Sequence, residues 1–435
     1  MHTIFTFQTK IAEGKLDTLT AYLEKLHREL PSHSQPGTSG DLPFPNLTKL
    51  HYASLVIVRD DRYGDDLVFE NNIDGTIAAY IEQVCDVAPV ALHALYSCCD
   101  GYDGSGGFDR GRMRAYLRTH VVRPSAAFVG NVGRDVGRIH AEHDVRTEIE
   151  KHLDELSDAG TLGATPAAVY AQVRAHVETL FPWALQPQGR LSAGEMLRRK
   201  LPVWVLGWFA LVTLPVLIPL VVLFVIVLRI HEMLDRSEIP PPDRTQMDTV
   251  TAREDNILQN HFASIVDVKP GLFRRFTLWL VLFLANRAAA LSVNGTLSNL
   301  NNIHFAHWVL IDGGRRMLFL TNYDGSWENY LDDFIDKASV GLTAIWSNSK
   351  LPARTTPPVR GPLVNFPKTS FLVLGGARDE RNFKNIARES QLLSNVWYSA
   401  YRDLTVPRID LNSTIRDGLA TPPPDAALGD WLQRL

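Results

Sequence analysis

Hydrophobic and polar residues follow the same order twice along the chain. In the first half, residues 52–58 form an apolar run rich in β-branched side chains, which predicts a buried strand, and residues 67–70 predict a second strand. A polar turn that ends in Asp74 leads into residues 76–84, whose apolar side chains recur with helical spacing. The second half repeats this order of strand, turn, strand, Asp-Gly turn and helix at residues 305–311, 312–314, 317–320, 321–325 and 327–334.

The repetition extends to both sides of this core. Each half has a strand and a helix before it, and two strands, a Gly-containing turn and a helix after it. In the first half the strands are predicted at residues 3–9, 92–97 and 126–129, and the first helix at 16–30. In the second half the strands are predicted at residues 262–268, 342–347 and 371–374, and the first helix at 273–288. Each half therefore has the order β-α-β-β-α-β with a β-α extension, which is typical of a ferredoxin-like unit. We expect Asp74 and Asp324 to cap the helices that follow them.

An uncharged apolar segment separates the two halves. It spans residues 201–228 and follows the cationic residues 198–200. An apolar run longer than about 18 residues indicates membrane association, with a buried helix of a soluble protein as the alternative. If the halves pair with each other, a single transmembrane span would separate them, and Pro215 and Pro219 would break a straight helix. The sequence therefore predicts a helical hairpin that dips into one leaflet, or a helix pair that lies on the membrane surface.

The helix predicted at residues 273–284 is also apolar on nearly all sides after Arg275. It is too short to span a bilayer but suits an interfacial position; a core helix covered by the hairpin is the alternative. Membrane lipid is thus the predicted partner, on the cytoplasmic face. The residues expected at the membrane are Trp204, Trp208, Pro215, Pro219, Phe224 and Trp279.

These patterns divide the chain into two folded units joined by linkers. The C-terminal residues include consecutive prolines at 422–424 and are expected to be loosely held. The predicted boundaries are 1–156 for the first unit, 157–200 for a linker with a helix, 201–230 for the membrane-associated segment, 231–260 for a second linker, 261–410 for the second unit and 411–435 for the tail.

Composition excludes several classes of function. The 435 residues carry a net charge of -4, which gives no basic field and predicts no nucleic-acid binding. The 3 cysteines include an adjacent pair and do not form a disulfide framework, which favours a reducing compartment. The sequence contains no P-loop and no nucleophile elbow, and residues 1–15 do not predict a secretory signal.

The repeated order of elements resembles a tandem protein of the dimeric α+β barrel superfamily. That superfamily packs two ferredoxin-like units sheet to sheet, and it includes small monooxygenases, chlorite dismutases and dye-decolorising peroxidases. The resemblance implies an α+β fold in which two ferredoxin-like repeats form an intramolecular α+β barrel, with the hydrophobic helical hairpin inserted between them.

Three residue types recur in step in the two halves. A His begins the central strand, an Asp precedes a Gly, and an Arg lies in a Gly-containing strand-to-helix turn. These residues are His51, Asp74 and Arg134 in the first half and His304, Asp324 and Arg378 in the second.

Dye-decolorising peroxidases have a G-x-x-D-G motif whose Asp, with an Arg, helps split peroxide over haem, while a His ligates the iron. This chain keeps the Asp-Gly in both halves and lacks the leading Gly. The resemblance implies haem as cofactor, Asp324 and Arg378 as catalytic residues, and His304 as the metal ligand. The Asp would shuttle a proton, the Arg would stabilise negative charge and the His would be the axial ligand. The second half is favoured because His307, a further cofactor-binding candidate, and Trp308 add polar and aromatic groups.

Two weaker candidate metal sites lie in the first half. His140 and His143 share a helix face, but a metal site would need a third ligand from elsewhere. The Asp-rich loop at residues 98–111 lacks the ligand spacing of an EF-hand. A solvated helix face and a plain loop are the simpler interpretations.

Two functions remain open. One is a membrane-associated oxidoreductase, haem-dependent and peroxidase-like, that acts on an apolar small-molecule substrate. The other is a non-catalytic module that binds lipid or a partner at the membrane surface, in which the Asp, Arg and His residues are structural. A cavity between the sheets lined by Asp324, Arg378 and His304 would favour the first, and an interior filled by apolar side chains would favour the second.

Overall fold

The computed structural model describes residues 2–30, 40–188, 193–237, 239, 244–254, 258–291, 300–351 and 366–435. The strands are β1 (His2–Lys10), β2 (Leu50–Val58), β3 (Asp66–Asp74), β4 (Val121–Val122), β5 (Ala126–Val129), β6 (Gln259–Val268), β7 (Ile303–Ile311), β8 (Arg316–Asp324), β9 (Ser349–Lys350), β10 (Thr369–Ser370), β11 (Leu374–Gly375), β12 (Gln391–Leu392) and β13 (Ser394–Ser399). The helices are α1 (Leu16–Glu29), α2 (Ile77–Val87), α3 (Pro89–Tyr96), α4 (Arg110–Thr119), α5 (Val136–Asp158), α6 (Pro166–Leu180), α7 (Ala193–Val212), α8 (Leu214–Leu234), α9 (Arg244–Thr251), α10 (Leu272–Leu291), α11 (Trp327–Trp346), α12 (Glu380–Ser390), α13 (Val406–Ala420) and α14 (Asp425–Leu432).

Two antiparallel sheets carry the fold. The first has the strand order β13-β2-β3-β1-β4, and the second has the order β12-β6-β8-β7-β5 with β9 also on β6. Within each half the order is the same, β4-β1-β3-β2 and β9-β6-β8-β7, and all neighbours are antiparallel. The predicted mixed α+β class is therefore confirmed.

Each sheet is completed by a strand from the other half. Strand β5 pairs with β7 in the second sheet, and β13 pairs with β2 in the first. This exchange of strands makes the two halves one body, so the domain boundary drawn at residue 156 does not separate two independent cores.

Apolar side chains occupy both faces of each sheet. One face of the first sheet packs on α1 to α4, and one face of the second packs on α10 to α12. Between the sheets lies an aliphatic layer contributed by five strands: Val56, Val58, Val68, Ala263, Ile265, Val309, Ile311, Leu318 and Leu320. These side chains are at most 5% exposed, so the described residues fill this part of the interior.

A charged layer closes one end of this interior. The buried Arg316 guanidinium lies 2.8 Å from the carboxylate of Asp66, and the two residues hold equivalent positions at the starts of β8 and β3. Asp66 also pairs with Lys10 at 2.8 Å, while Arg62 pairs with Asp267 at 2.6 Å. Equivalent positions of the two halves thus carry opposite charges. For this reason each half pairs more favourably with the other half than with a copy of itself.

Three strand predictions are wrong. Residues 92–97 lie mostly in α3, and 342–347 lie in or just after α11; the edge strands β4 and β9 come later and have only two residues each. Short apolar runs do not distinguish a buried strand from a helix by periodicity. Residues 371–374 do not form the trailing strand either, because they include the turn of the β10–β11 hairpin; β13 takes that place.

The capping prediction is also wrong. Thr76 caps α2 and Ser326 caps α11, each accepting a backbone N–H with its hydroxyl oxygen. Asp74 and Asp324 instead accept from the first amides of α5 and α13. The carboxylates therefore tie each strand end to a helix that comes much later in the chain.

The C-terminal tail is helical and packed. Helices α13 and α14 join α5 and α6 in a further apolar cluster, in which Leu419 and Trp431 are buried. The proline run at 422–424 connects two helices that contribute to this core. The prediction that the C-terminal residues are loosely held is therefore wrong.

The predicted helical hairpin is a bent helix. Only Thr213 separates α7 from α8, and its backbone is near-helical, with φ -91° and ψ 5°. The amide of Thr213 donates to the carbonyl of Phe209, and the amide of Leu217 donates to that of Thr213, so helical hydrogen bonding continues on both sides. A reversal needs a loop of about 2–5 residues. Pro215, which has no N–H to donate, accounts for a bend rather than a turn.

Candidate functional site

The repeated His and Asp residues meet at one end of the space between the sheets. The β1–β3 register places His2 opposite Asp74, and the β6–β8 register places Gln259 opposite Asp324. His51 and His304 lie near the starts of the adjacent strands β2 and β7. The fold thus builds two similar clusters, which we call the first triad (His2, His51, Asp74) and the second triad (Gln259, His304, Asp324).

In the first triad the Asp74 carboxylate lies between two imidazoles. Its Oδ1 is 3.0 Å from His2 Nδ1, and its Oδ2 is 3.0 Å from His51 Nε2. The side chains of His2, His51 and Asp74 are 4%, 0% and 10% exposed, so the cluster is nearly closed to solvent. The amide of Val136 donates to Oδ2 over 3.0 Å.

The second triad keeps the His–Asp contact but replaces one imidazole by an amide. His304 Nε2 lies 2.7 Å from Asp324 Oδ1, and the amide of Val406 donates to Oδ2 over 2.7 Å. Gln259 Nε2 lies 3.2 Å from His304 Nε2 and also donates to the carbonyls of Tyr401 and Leu404. The two clusters therefore differ chiefly at His2 and Gln259.

Each histidine is held by the other half of the chain. His51 Nδ1 is 2.9 Å from the hydroxyl of Tyr401, which follows β13. His304 Nδ1 is 3.1 Å from the side-chain amide of Asn131, which follows β5. Because β5 and β13 are the exchanged strands, both clusters form only when the halves are assembled.

Burial and pairing set the charges of the first triad. Burial opposes ionisation of Asp74, but hydrogen bonding to His2 and His51 and their charges hold the pKa of the carboxyl well below its usual range. Burial lowers the pKa of His51 in spite of the neighbouring carboxylate. The Asp74 carboxyl is therefore ionised in the cluster.

The predicted arginines do not join the clusters as a matched pair. Arg134 is buried and lies 2.6 Å from Asp410 on α13. Arg378 is exposed in a short 3₁₀ turn after the β10–β11 hairpin. Val136 and Val406 are equivalent because each donates its amide to the repeated Asp of its triad. Arg134 lies two residues before Val136, so its counterpart is Leu404, two residues before Val406, and not Arg378.

His307 belongs to a second buried polar layer, deeper between the sheets. Its Nδ1 lies 3.8 Å from Glu70, whose carboxylate is also 2.8 Å from His261 and accepts from Ser54 over 2.7 Å. Burial opposes ionisation of Glu70, but these imidazoles lower its pKa to about 2. Burial lowers the pKa of His307 to about 4. This layer is an ionised carboxylate surrounded by fixed donors.

The residues predicted to hold haem do not fit that role as they are arranged. Both ring nitrogens of His304 lie within hydrogen-bonding distance of Asn131, Gln259 or Asp324, and the side chain is fully buried. Arg378 is outside the cluster. Haem as a cofactor stays a prediction.

One group of three metal-ligating side chains converges in the part of the chain that the structure describes, and it is the first triad. The two weaker metal candidates serve local structure. His140 is an exposed helix residue in edge contact with Tyr401. In the Asp-rich loop, Asp109 caps α4, and Asp103 accepts from Ser105.

A large apolar surface is formed by exposed side chains of α7, α8 and α10. The described residues include one helix long and apolar enough to cross a membrane, α8, and only 6% of its apolar window is buried. Trp204 and Trp208 on α7 and Trp279 on α10 are 62%, 68% and 52% exposed. Pro215 is the second residue of α8 and Pro219 lies further along it, while Phe224 packs against Phe273 at the start of α10, with ring centroids 5.2 Å apart.

The β10–β11 hairpin adds its tip to this surface. Phe371 and Leu372 have φ angles of 57° and 62°, a left-handed backbone that is uncommon for bulky residues. Their amides donate to the Glu232 carboxylate on α8, each over 2.9 Å, and Arg229 contacts the same carboxylate at 2.6 Å. Phe371 and Leu374 are 48% and 50% exposed. Glu232 thus holds a strained turn that presents apolar side chains beside α8.

Comparisons with known proteins add no assignment to these two regions: no family model, no curated protein and no solved structure matches this chain.

Proposed function

We propose that this chain is a monotopic, non-catalytic module that binds the lipid surface of a membrane. The observation that carries the proposal is the exposed apolar face of α7 and α8. Exposed contiguous apolar patches of this extent are typical of membrane or partner interfaces, because water contact with them is unfavourable. The outer side of α10 and the tip of the β10–β11 hairpin extend the same face.

A position along the membrane surface is favoured over a span because both ends of the bent helix are tied to the body. At its N-terminal side, Arg416 donates to the carbonyls of Gln186 and Gln188, a few residues before α7. At its C-terminal side, Glu232 binds the β10–β11 hairpin and Asp235 pairs with Arg274 at 2.7 Å. A span would have to break one set of these contacts and would separate halves that share strands.

Side chains along the helix favour the same orientation. Val203, Leu206, Ala210, Thr213 and Leu217 are half-buried and recur every three or four residues, whereas most of their neighbours are exposed. This periodicity is that of a helix with one side on the protein. The cationic Arg198 and Arg275 are exposed near the ends of the apolar segments, where they suit anionic headgroups. We place this surface on the cytoplasmic leaflet.

The body is then a rigid support composed of two ferredoxin-like repeats paired as an intramolecular α+β barrel. The strand order β4-β1-β3-β2, repeated as β9-β6-β8-β7, supports this fold. Between the sheets the described side chains form an aliphatic layer and buried polar layers, in which His304 and Asp324 contact each other at 2.7 Å, whereas Arg378 is exposed in a 3₁₀ turn after the β10–β11 hairpin. This packing favours the binding module over an oxidoreductase with its substrate between the sheets.

Flotation with vesicles of phosphatidylcholine and phosphatidylglycerol tests the proposal with a matched pair of variants. Val221 on α8 and Val90 on α3 are 56% and 59% exposed. Val221→Glu places a charge on the proposed membrane face, where it costs up to about 3 kcal/mol, and should lower vesicle binding by at least roughly 10-fold. Val90→Glu makes the same change elsewhere and should bind like the unaltered protein. Equal binding by both variants would contradict the proposal.

A further inference from the structure

The first triad has three buried ligand atoms that point at one another. His2 Nδ1, His51 Nε2 and one oxygen of Asp74 all lie within 4.8 Å of each other. Among the described residues, His2 Nδ1 and His51 Nε2 each face the Asp74 carboxylate at 3.0 Å and make no further hydrogen bond. The two buried imidazole nitrogens and the carboxylate between them form a compact set of potential metal ligands.

The surroundings orient both imidazoles toward the centre of the cluster. His2 Nε2 lies 3.1 Å from the carbonyl oxygen of Asn131 and 3.2 Å from the amide nitrogen of Gly133, and His51 Nδ1 lies 2.9 Å from the Tyr401 hydroxyl. In the tautomers in which the outer nitrogens donate to Asn131 and Tyr401, the inner nitrogens present lone pairs. Histidines that bind metals usually donate their second N–H to such partners. Asp74 is fixed in the same way by the amide of Val136.

We propose that His2, His51 and Asp74 bind a divalent transition-metal ion of the series from Fe²⁺ to Zn²⁺. Two imidazoles and one carboxylate are an established donor set for these ions, whereas calcium and magnesium prefer oxygen ligands alone. Metal–ligand bonds of about 2.0–2.1 Å place tetrahedral ligand atoms roughly 3.3 Å apart. The His–Asp separations of 3.0 Å are close to that spacing. Three protein ligands leave a position for water or an external ligand.

The second triad provides a comparison within the same chain. Gln259 donates its amide to two carbonyls, and its oxygen accepts from Tyr52 and Ser399, so it is fully engaged. Its amide nitrogen, which faces His304, is not a metal ligand. The second triad therefore lacks one donor and binds no metal, although its His and Asp are placed like those of the first.

A test requires the full chain, purified in detergent without a polyhistidine tag and treated with a chelator. Isothermal titration with Zn²⁺ should show one tight site per chain, and Co²⁺ should give the visible absorption bands of a low-symmetry site. His2→Gln copies the residue of the second triad and can keep the hydrogen bond to Asn131. This substitution should preserve the fold and weaken Zn²⁺ binding by more than roughly 100-fold, since loss of an outer partner alone costs about 10–100-fold.

A matched pair separates metal binding from general effects of losing a buried carboxylate. Asp74→Asn should abolish the Zn²⁺ site, whereas Asp324→Asn should retain it, because both Asn side chains can still accept the helix amide. If the unaltered chain shows no saturable Zn²⁺ site, the cluster is only a hydrogen-bonded tie between strands and the proposal is overturned. Binding that survives His2→Gln would overturn it too. Circular dichroism of each variant shows that the comparison concerns folded protein.

Discussion

The buried His307 predicts a specific loss of stability in mild acid. Burial lowers the pKa of His307 from 6.5 to about 4, against the smaller opposing effect of Glu70. A group with a lowered pKa in the folded state stabilises the fold above its unfolded pKa, and this contribution is lost as the pH falls toward the folded pKa. Between about pH 7.5 and about pH 5 the loss from this one residue is about 2 kcal/mol.

Replacement of His307 by Leu or Gln removes this contribution. The measurement is urea unfolding followed by tryptophan fluorescence, with the free energy of unfolding determined at the two pH values for each protein. Glu70 titrates at lower pH, since its pKa is lowered from 4.5 to about 2, and other histidines contribute equally to all variants. Both variants should lose about 2 kcal/mol less than the parent. An identical pH dependence in parent and variants would refute the assignment of His307 as a buried neutral group.

Three further predictions concern pairing of the halves and the cofactor. Arg316→Leu should destabilise the fold by about 1–3 kcal/mol, because it removes one of the two cationic partners of the buried Asp66 and leaves Lys10 as the other. Adding Asp66→Leu should recover part of that loss in a double-mutant cycle; additive losses would exclude coupling. Gly130→Ala should lower the free energy of unfolding by about 1–3 kcal/mol, because a Cβ would lie 2.1 Å from the backbone oxygen of Ile303. The control Gly341→Ala meets open space and should not destabilise the fold. Equal stabilities of the two variants would show that the chain after β5 is not packed against β7 in this way. Haemin added to the purified chain should produce no Soret band that depends on His304, and loss of a band in His304→Ala would restore the peroxidase hypothesis.

The internal repeat can be predicted from the sequence because it rests on long, strongly patterned segments. The strands β2, β3, β7 and β8 and the helices after them lie where alternating and helical periodicities predict them. The apolar segment at residues 201–228 is also evident in the sequence, since an uncharged run of this length is rare in the core of a soluble protein. The shape of the segment does not follow from the sequence, because a proline within an apolar run is compatible with both a turn and a bend. One near-helical residue, Thr213, decides between them.

The candidate metal cluster cannot be predicted from one half of the chain at a time. His51 and Asp74 stand out in the sequence because they recur, but the counterpart of His2 in the second half is Gln259, and its partner Asn131 lies in a loop beside an exchanged strand. The signal that identifies His2 is the antiparallel register of β1 and β3, which sets residue 2 against residue 74. The assignment of Arg378 fails because residues 371–374 are apolar like a strand, while their strained turn is held by Glu232 from a distant helix.

The sidedness of the two halves tests the monotopic arrangement most directly. Asp61 and Asp336 are exposed and lie in the first and second halves, and the native cysteines are all buried. Asp61→Cys and Asp336→Cys variants can be labelled with a membrane-impermeant thiol reagent in inverted and right-side-out vesicles from expressing cells. We predict that both variants are labelled in inverted vesicles and neither in right-side-out vesicles. Labelling of the two variants from opposite sides would mean that the apolar helix spans the membrane, and it would contradict the monotopic arrangement.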